Sequence, residues 1–248
     1  MLLIPRDEKL WWALKIVTLL HDVPWKPWLI SGEYRGRRPA QEILNPEARK
    51  IFKDIVNSIG SSFGDLEAND EEAIAFILYL FDGLEQSVRD TMYSVVKGYW
   101  STIHEADVRA SSADRLLIPK SQRPLRPKKF VNIFRPELTV DIHKPSEEVI
   151  ARYLNEVKKI VEKASQRANS VEEALKKIYF ALFALMETTW YKVAGSNAIP
   201  PADTRMPHHT VFHHLYASTA MLNTIGCWAI VEIDTPGIQV FVRQGRKT

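Results

Sequence analysis

Cysteine is nearly missing from this chain: Cys227 is the only one among 248 residues. A single thiol excludes a disulfide framework and a thiolate zinc site alike, and it fits a reducing cytosol. Long hydrophobic runs are missing too. The two longest, Ala73–Phe81 and Ile178–Met186, fall far short of the ~20 residues that span a bilayer. Both are read as buried helices, and no membrane partner is expected. No secretory signal opens the chain, because Asp7, Glu8 and Asp22 interrupt its N-terminal apolar stretch. Strong charge imbalance is absent as well. A formal net charge of +3 and a pI near 8.8 allow an anionic partner without demanding one.

One local absence is more pointed. Between Asp114 and Glu137 there is no acid, yet Arg115, Lys120, Arg123, Arg126, Lys128, Lys129 and Arg135 are all present, with Phe130 and Phe134 interleaved. The prolines at 119, 124, 127, 136 and 145 break the helical pattern here. Cations and spaced aromatics in an extended segment suit a single strand of nucleic acid, through phosphate pairing and base stacking. The candidate contacts are Lys120, Arg123, Arg126, Lys128 and Lys129. An inter-helix loop kept soluble by its charge is the equal alternative.

What is present is mostly helix. With 46% hydrophobic and 25% charged residues, the chain can bury a sizeable core, as one large domain or two small ones. Leu10, Trp11, Leu14, Val17 and Leu20 fall at helical spacing behind an Asp7 cap. Asn45-Pro46 opens a second helix that should run to about Ser58 and stop in Gly60-Ser61-Ser62. A third starts near Asn69 and continues, or restarts, to Val96, and Trp100–Leu117 is helical again. Ser146–Ala164 and a segment from Ser170 to about Val193 follow, the latter opened by a capping box. Trp228–Ile233 is the only convincing strand, and Ile238–Arg246 starts a helix that the C-terminus cuts off. One strand and part of a helix cannot make a sheet, so the chain reads as truncated from something longer.

Three stretches carry ligand chemistry. His21-Asp22 closes the first helix, and Pro24, Lys26 and the tryptophans 25 and 28 turn the chain after it. An imidazole and a carboxylate converging there suit a first-row transition metal or magnesium. Asp107, Ser111 and Asp114 fall near one face of the Trp100–Leu117 helix, with Ala110 and Ala113 allowing close packing. His208, His209, His213 and His214 crowd seven positions behind a loop carrying Asp203, a density that favours metal binding. Helix geometry pairs His209 with His213, but if the helix begins only after His209, His214 points inward instead. A polar loop, Gly32–Pro39, brings three arginines together. It is either a solvated loop or a phosphate contact near His21-Asp22.

Leu20–Lys26, Ala106-Asp107 with Ala110–Arg115, Ala202–Pro207 with His209-Thr210 and His214-Leu215, and Asp234–Gln239 with Phe241, Arg246 and Lys247 together resemble the N-terminal part of the large subunit of type III CRISPR effector complexes, most like the III-B form. The resemblance implies an all-α, circularly permuted HD domain over residues 1–227, in which the helix carrying the first histidine comes last. Residues 228–248 would begin a polymerase-like palm domain. It further implies His214, His21, Asp22 and Asp107 as metal ligands, His209 as an additional one, and Lys26 as a phosphate contact beside the catalytic His21-Asp22 pair. The activity implied is metal-dependent cleavage of single-stranded DNA, with manganese, nickel or cobalt in the site and magnesium as the hard-cation alternative. Other subunits of the effector complex and its guide RNA would be partners, in the cytoplasm. Val23-Pro24 stands where active HD enzymes often carry Gly-Lys. That departure keeps two rivals in view, a degenerate HD domain serving as a scaffold and a nucleotide phosphohydrolase.

Overall fold

The computed structural model describes residues 5–225 except 65, 115–127, 133, 134, 136, 204 and 206, and it leaves out the side chains of Ala113 and Asp114. The expected strand Trp228–Ile233, the helix after it and the domain boundary at 227 lie outside the described residues.

The core is organised around α1 (Glu8–Leu20), which packs against four other helices: α5 (Ala68–Phe81), α6 (Gln86–Asp114), α8 (Val171–Ala194) and α9 (Val211–Leu222). Its first turns are amphipathic, and its second half, Ile16–Leu20, is buried on every side. A helix apolar all round belongs inside the protein. Asp7 caps it, accepting from the Lys9 amide at 2.9 Å. Val23-Pro24 ends it, since the residue before proline avoids the helical region. Two short helices follow, α2 (Lys26–Ile30) and α3 (Pro39–Glu42), and then α4 (Pro46–Phe63). α4 does not stop at Gly60 as the sequence suggests. Ser61 and Ser62 turn their hydroxyls back onto the carbonyls of residues 57–59, and the helix ends only at Gly64.

α5 and α6 are separate. Leu84 and Glu85 follow a turn at Gly83, whose φ of 89° lies where a side chain is disfavoured, and α6 restarts at Gln86 and runs 29 residues. α7 (Glu147–Ser165) and α8 form a packed pair. Ser170 caps α8 as expected, accepting from the Glu173 amide at 3.1 Å. The Glu173 carboxylate returns to the amide of Asn169 instead of that of Ser170, so the box closes one residue earlier.

Two expectations need correction. The described part of the proline-rich segment contains an antiparallel hairpin, β1 (Lys129–Val131) and β2 (Thr139–Asp141), paired Lys129 to Asp141 and Val131 to Thr139. The run Ile178–Met186 is also not buried throughout. Ile178, Leu182 and Met186 face the core, while Phe180, Phe183 and Leu185 are exposed. Ala73–Leu78, by contrast, is wholly buried. Among the described residues no helix is long and apolar enough to cross a membrane.

Candidate metal centre

The residues of the His-Asp turn, the middle of α6 and the start of α9 meet in one place. His21 is the C-cap of α1. Its Nδ1 lies 2.6 Å from the Thr18 carbonyl oxygen. A carbonyl only accepts, so Nδ1 carries the proton and, in the neutral ring, Nε2 presents a lone pair, the arrangement by which a backbone carbonyl orients a metal-binding imidazole. That Nε2 is buried and has no hydrogen-bond partner. It faces Asp107 Oδ1 at 3.7 Å and Asp22 Oδ1 at 3.9 Å.

His214 comes from the opposite side. The helix α9 begins after Thr210, which accepts from the His213 amide at 3.3 Å. His209 therefore lies outside the helix, its pairing with His213 is lost, and His214 is the histidine turned inward, 3% exposed. Its Nε2 lies 2.8 Å from Asp107 Oδ1 and 3.8 Å from Asp22 Oδ2. The imidazole rings of His21 and His214 stand 5.7 Å apart. Donor atoms of His21, Asp22 and His214 all lie within 4.8 Å of one another. An ion held at ~2.1 Å by nitrogen and oxygen ligands puts its donors up to about 4.2 Å apart, so the separations of 3.7–3.9 Å suit a shared ion.

Electrostatics follow from the crowding. Burial raises the Asp22 carboxyl, but the Lys26 ammonium, 2.5 Å away, and the His21 imidazole outweigh it and hold it at about 2. Burial likewise raises Asp107, and the two facing imidazoles pull it well below the usual carboxylate range. Burial opposes charge on His21, yet Asp22 and Asp107 together raise its pKa. Two carboxylates thus stay ionised in a buried place, which is the condition for binding a cation. An orphaned imidazole lone pair, two ionised carboxylates and no thiolate fit a divalent transition metal. Asp107, whose side chain is 23% exposed, marks the mouth of the site.

The remaining expected residues divide. Lys26 sits on Asp22. His209 places its Nδ1 2.8 Å from His208 Nδ1, and neither it nor Asp107, which joins the site through its 2.8 Å contact with His214, belongs to the group of His21, Asp22 and His214. Asp203 is buried and grips Arg205 through its amide and guanidinium, at 2.6–3.0 Å. Lys120, Arg123 and Arg126 lie outside the described residues. Lys128 and Lys129 are exposed at the start of the hairpin.

Over 244 residues the chain is 27% identical to the CRISPR system CMR subunit Cmr2 of Saccharolobus solfataricus, a match covering 94% of this chain and 20% of that protein. The chain is a homologue of Cmr2. It spans about one fifth of the length of that relative. A match covering so much of the chain runs through the whole site, from His21 to His214. No family model matches the chain, and no solved structure does.

The roles of three supporting residues were not visible in the sequence. Asn69, at the start of α5, donates to Asp22 Oδ1 at 2.7 Å. Ser111 donates to Asp107 at 3.1 Å, one helical turn on. It shares that face by spacing, but its role shows only in the structure. Glu72, fully buried, accepts from the Trp25 indole at 2.9 Å and from the Ala40 amide at 2.6 Å, tying the turn after Asp22 to α3. Its other oxygen is buried without a partner. Burial, only partly opposed by those hydrogen bonds, pushes Glu72 from 4.5 up to about 7.

The sign of its effect on stability follows. A folded pKa above the unfolded one gives stability that is complete below about pH 4.5 and is lost as pH rises through about 7. The loss should approach about 3 kcal/mol, at about 1.4 kcal/mol per pH unit. Glu72→Gln keeps the acceptor oxygen and cannot ionise, so it should remove this dependence. Denaturant unfolding in chelator at pH 4.5 and pH 8 measures it. A wild-type-minus-variant difference that does not change with pH rejects the assignment.

Proposed function

We propose that this chain is a metal-dependent nuclease domain that cleaves single-stranded DNA within a type III CRISPR effector complex of the CMR kind, beside the other subunits and the guide RNA. The observation that carries the reading is the convergence of His21, Asp22, Asp107 and His214, with one imidazole lone pair buried and unpaired. The homology to Cmr2 supports the assembly. The motif order supports the permuted HD arrangement, since α1 carries His21 and the last described helix carries His214.

In this reading His21, Asp22, Asp107 and His214 hold the ion. A metal bound there lowers the pKa of its water and polarises the phosphodiester. Thr18 fixes the tautomer of His21, Asn69 and Lys26 hold the two oxygens of Asp22, and Ser111 steadies Asp107. Lys26, partly exposed at the rim, is placed to release Asp22 and pair with a phosphate oxygen of the strand. The Lys26–Asp22 contact also favours a second reading. A lysine and two imidazoles already balance the carboxylates, as a scaffold that never loads metal would require.

Elemental analysis beside a cleavage assay separates the two. The purified chain should take up manganese, cobalt or nickel, cut single-stranded DNA, and lose that activity to a chelator with recovery on adding metal. Cleavage indifferent to exhaustive chelation rejects the metal mechanism. A protein that stays empty in excess metal is the scaffold.

A further inference from the structure

The arginine loop that the metal centre does not use lies over a separate cleft. The cleft has a volume of about 520 Å³ and is lined by Arg35, Arg37, Arg38, Arg49 and Lys53, with Glu42 as the only acid and with Leu44 and Phe52 as apolar wall. Its cations come from two directions. Arg35, Arg37 and Arg38 lie on the loop between α2 and α3, while Arg49 and Lys53 stand one turn apart on α4. Like charges at that spacing repel, and among the described residues neither is paired with a carboxylate.

The cations are held in a way that leaves donors over. Arg49 gives one N–H to the Glu42 carbonyl at 2.9 Å, and Arg38 leans on the carbonyls of Gly36 and Arg37 at 3.3–3.4 Å. Each guanidinium keeps further N–H groups. Arg37 is spent on Glu147, through two contacts at 2.9 and 3.1 Å. The side chains of Arg35 and Lys53 make no hydrogen bond or ion pair with any described residue. Arg35 is also the one non-glycine residue with positive φ, 51°, among the described residues. Such a conformation is unfavourable for a long side chain and persists only where the surroundings impose it. Here Tyr34 imposes it. The Tyr34 ring is buried, its hydroxyl donates to the Pro145 carbonyl at 3.0 Å, and Lys144 lies 4.1 Å from the ring centroid. The loop is thus anchored to the start of α7, with Arg35 presented at the cleft.

We propose that this cleft is a phosphate-binding site for a single-stranded nucleic acid, with Arg35 and Lys53 pairing with backbone phosphates, Arg38 and Arg49 supplying hydrogen bonds, and Phe52 offering a ring to a base. Cations with an aromatic in an open groove are the means by which proteins hold strands without reading sequence. The site shares no residue with the metal centre, and binding there needs no metal.

The test is fluorescence anisotropy of a labelled oligothymidylate with the full chain, in chelator, across a salt series. Arg35→Gln with Lys53→Gln should lower the slope of log affinity against log salt by about 1.4, at about 0.7 per phosphate contact, and weaken binding roughly 25-fold at 0.1 M salt. The melting temperature should stay within about 2 °C, as surface changes with no lost contact do. Lys128→Gln with Lys129→Gln reports on the hairpin separately and should leave the Arg35 and Lys53 effect in place. An unchanged slope and affinity in the folded double variant overturns the proposal. Competition by millimolar inorganic phosphate as complete as that by unlabelled strand also overturns it, because the site would then take the free anion. Because chelator is present throughout, failure of the metal centre leaves this result untouched.

Discussion

Replacing His21 and Asp22 together by alanine is expected to take cleavage of single-stranded DNA to background in a protein that still folds and still binds the strand. The two residues supply half of the proposed ligand set, and Asp22 is the hub of the site: it touches His21, His214, Lys26 and Asn69. Binding should survive because the cationic cleft and the basic segment draw on other residues. Stability should fall in the metal-free protein, mainly because Asn69 loses its partner inside the core. A buried donor left without an acceptor costs roughly 1–3 kcal/mol. Lys26 adds less, since its ammonium can reach water. The decisive reading is the melting temperature with and without metal. An ion at 100 times its dissociation constant stabilises the wild type by about 2.7 kcal/mol, and that response should vanish in the double variant. A structural capping role predicts a constant loss whether or not metal is added. Undiminished cleavage by a folded double variant removes the pair from the mechanism.

How much of this was legible in the sequence depends on the range of the interaction. Caps are local, and Asp7, Asn45 and Ser170 could be read because the capping oxygen lies within three residues of the amide it accepts from. Which of His209 and His214 turns inward depended on where one helix begins, and Thr210, capping α9, leaves His209 outside that helix. The hairpin was not legible. Its strands are three residues each and β2 is exposed throughout, so no alternation of apolar and polar residues marks them. Part of the support is tertiary: the Val131 amide donates to the Pro207 carbonyl at 2.8 Å. The half-exposed face of Ile178–Met186 was hidden for the converse reason, because an apolar run states no direction until its neighbours are in place. Asn69 and Glu72 each reach a partner 47 residues away, and no spacing rule reports such a contact.

Asn69 gives the sharpest measure of that hidden support. Its side chain is 4% exposed and donates to Asp22 Oδ1, while its own carbonyl oxygen is buried with no hydrogen-bond partner. An amide held in this way has one evident task, to fix the rotation of the Asp22 carboxylate so that its free lone pairs face His21 and His214. Asn69→Leu preserves bulk and removes the donor. Metal affinity should weaken 10–100-fold, the usual effect of losing a group that orients a ligand. Asp22 itself remains, so saturating metal should restore cleavage to within a few-fold of wild type. The same change in a structural role would lower the melting temperature and leave the metal dependence of activity where it was. Activity measured across a metal titration therefore decides the matter. A midpoint that does not move in a folded Asn69→Leu variant shows that Asp22 is held by Lys26 alone, and that the contact at 2.7 Å serves the packing of α5 and not the site.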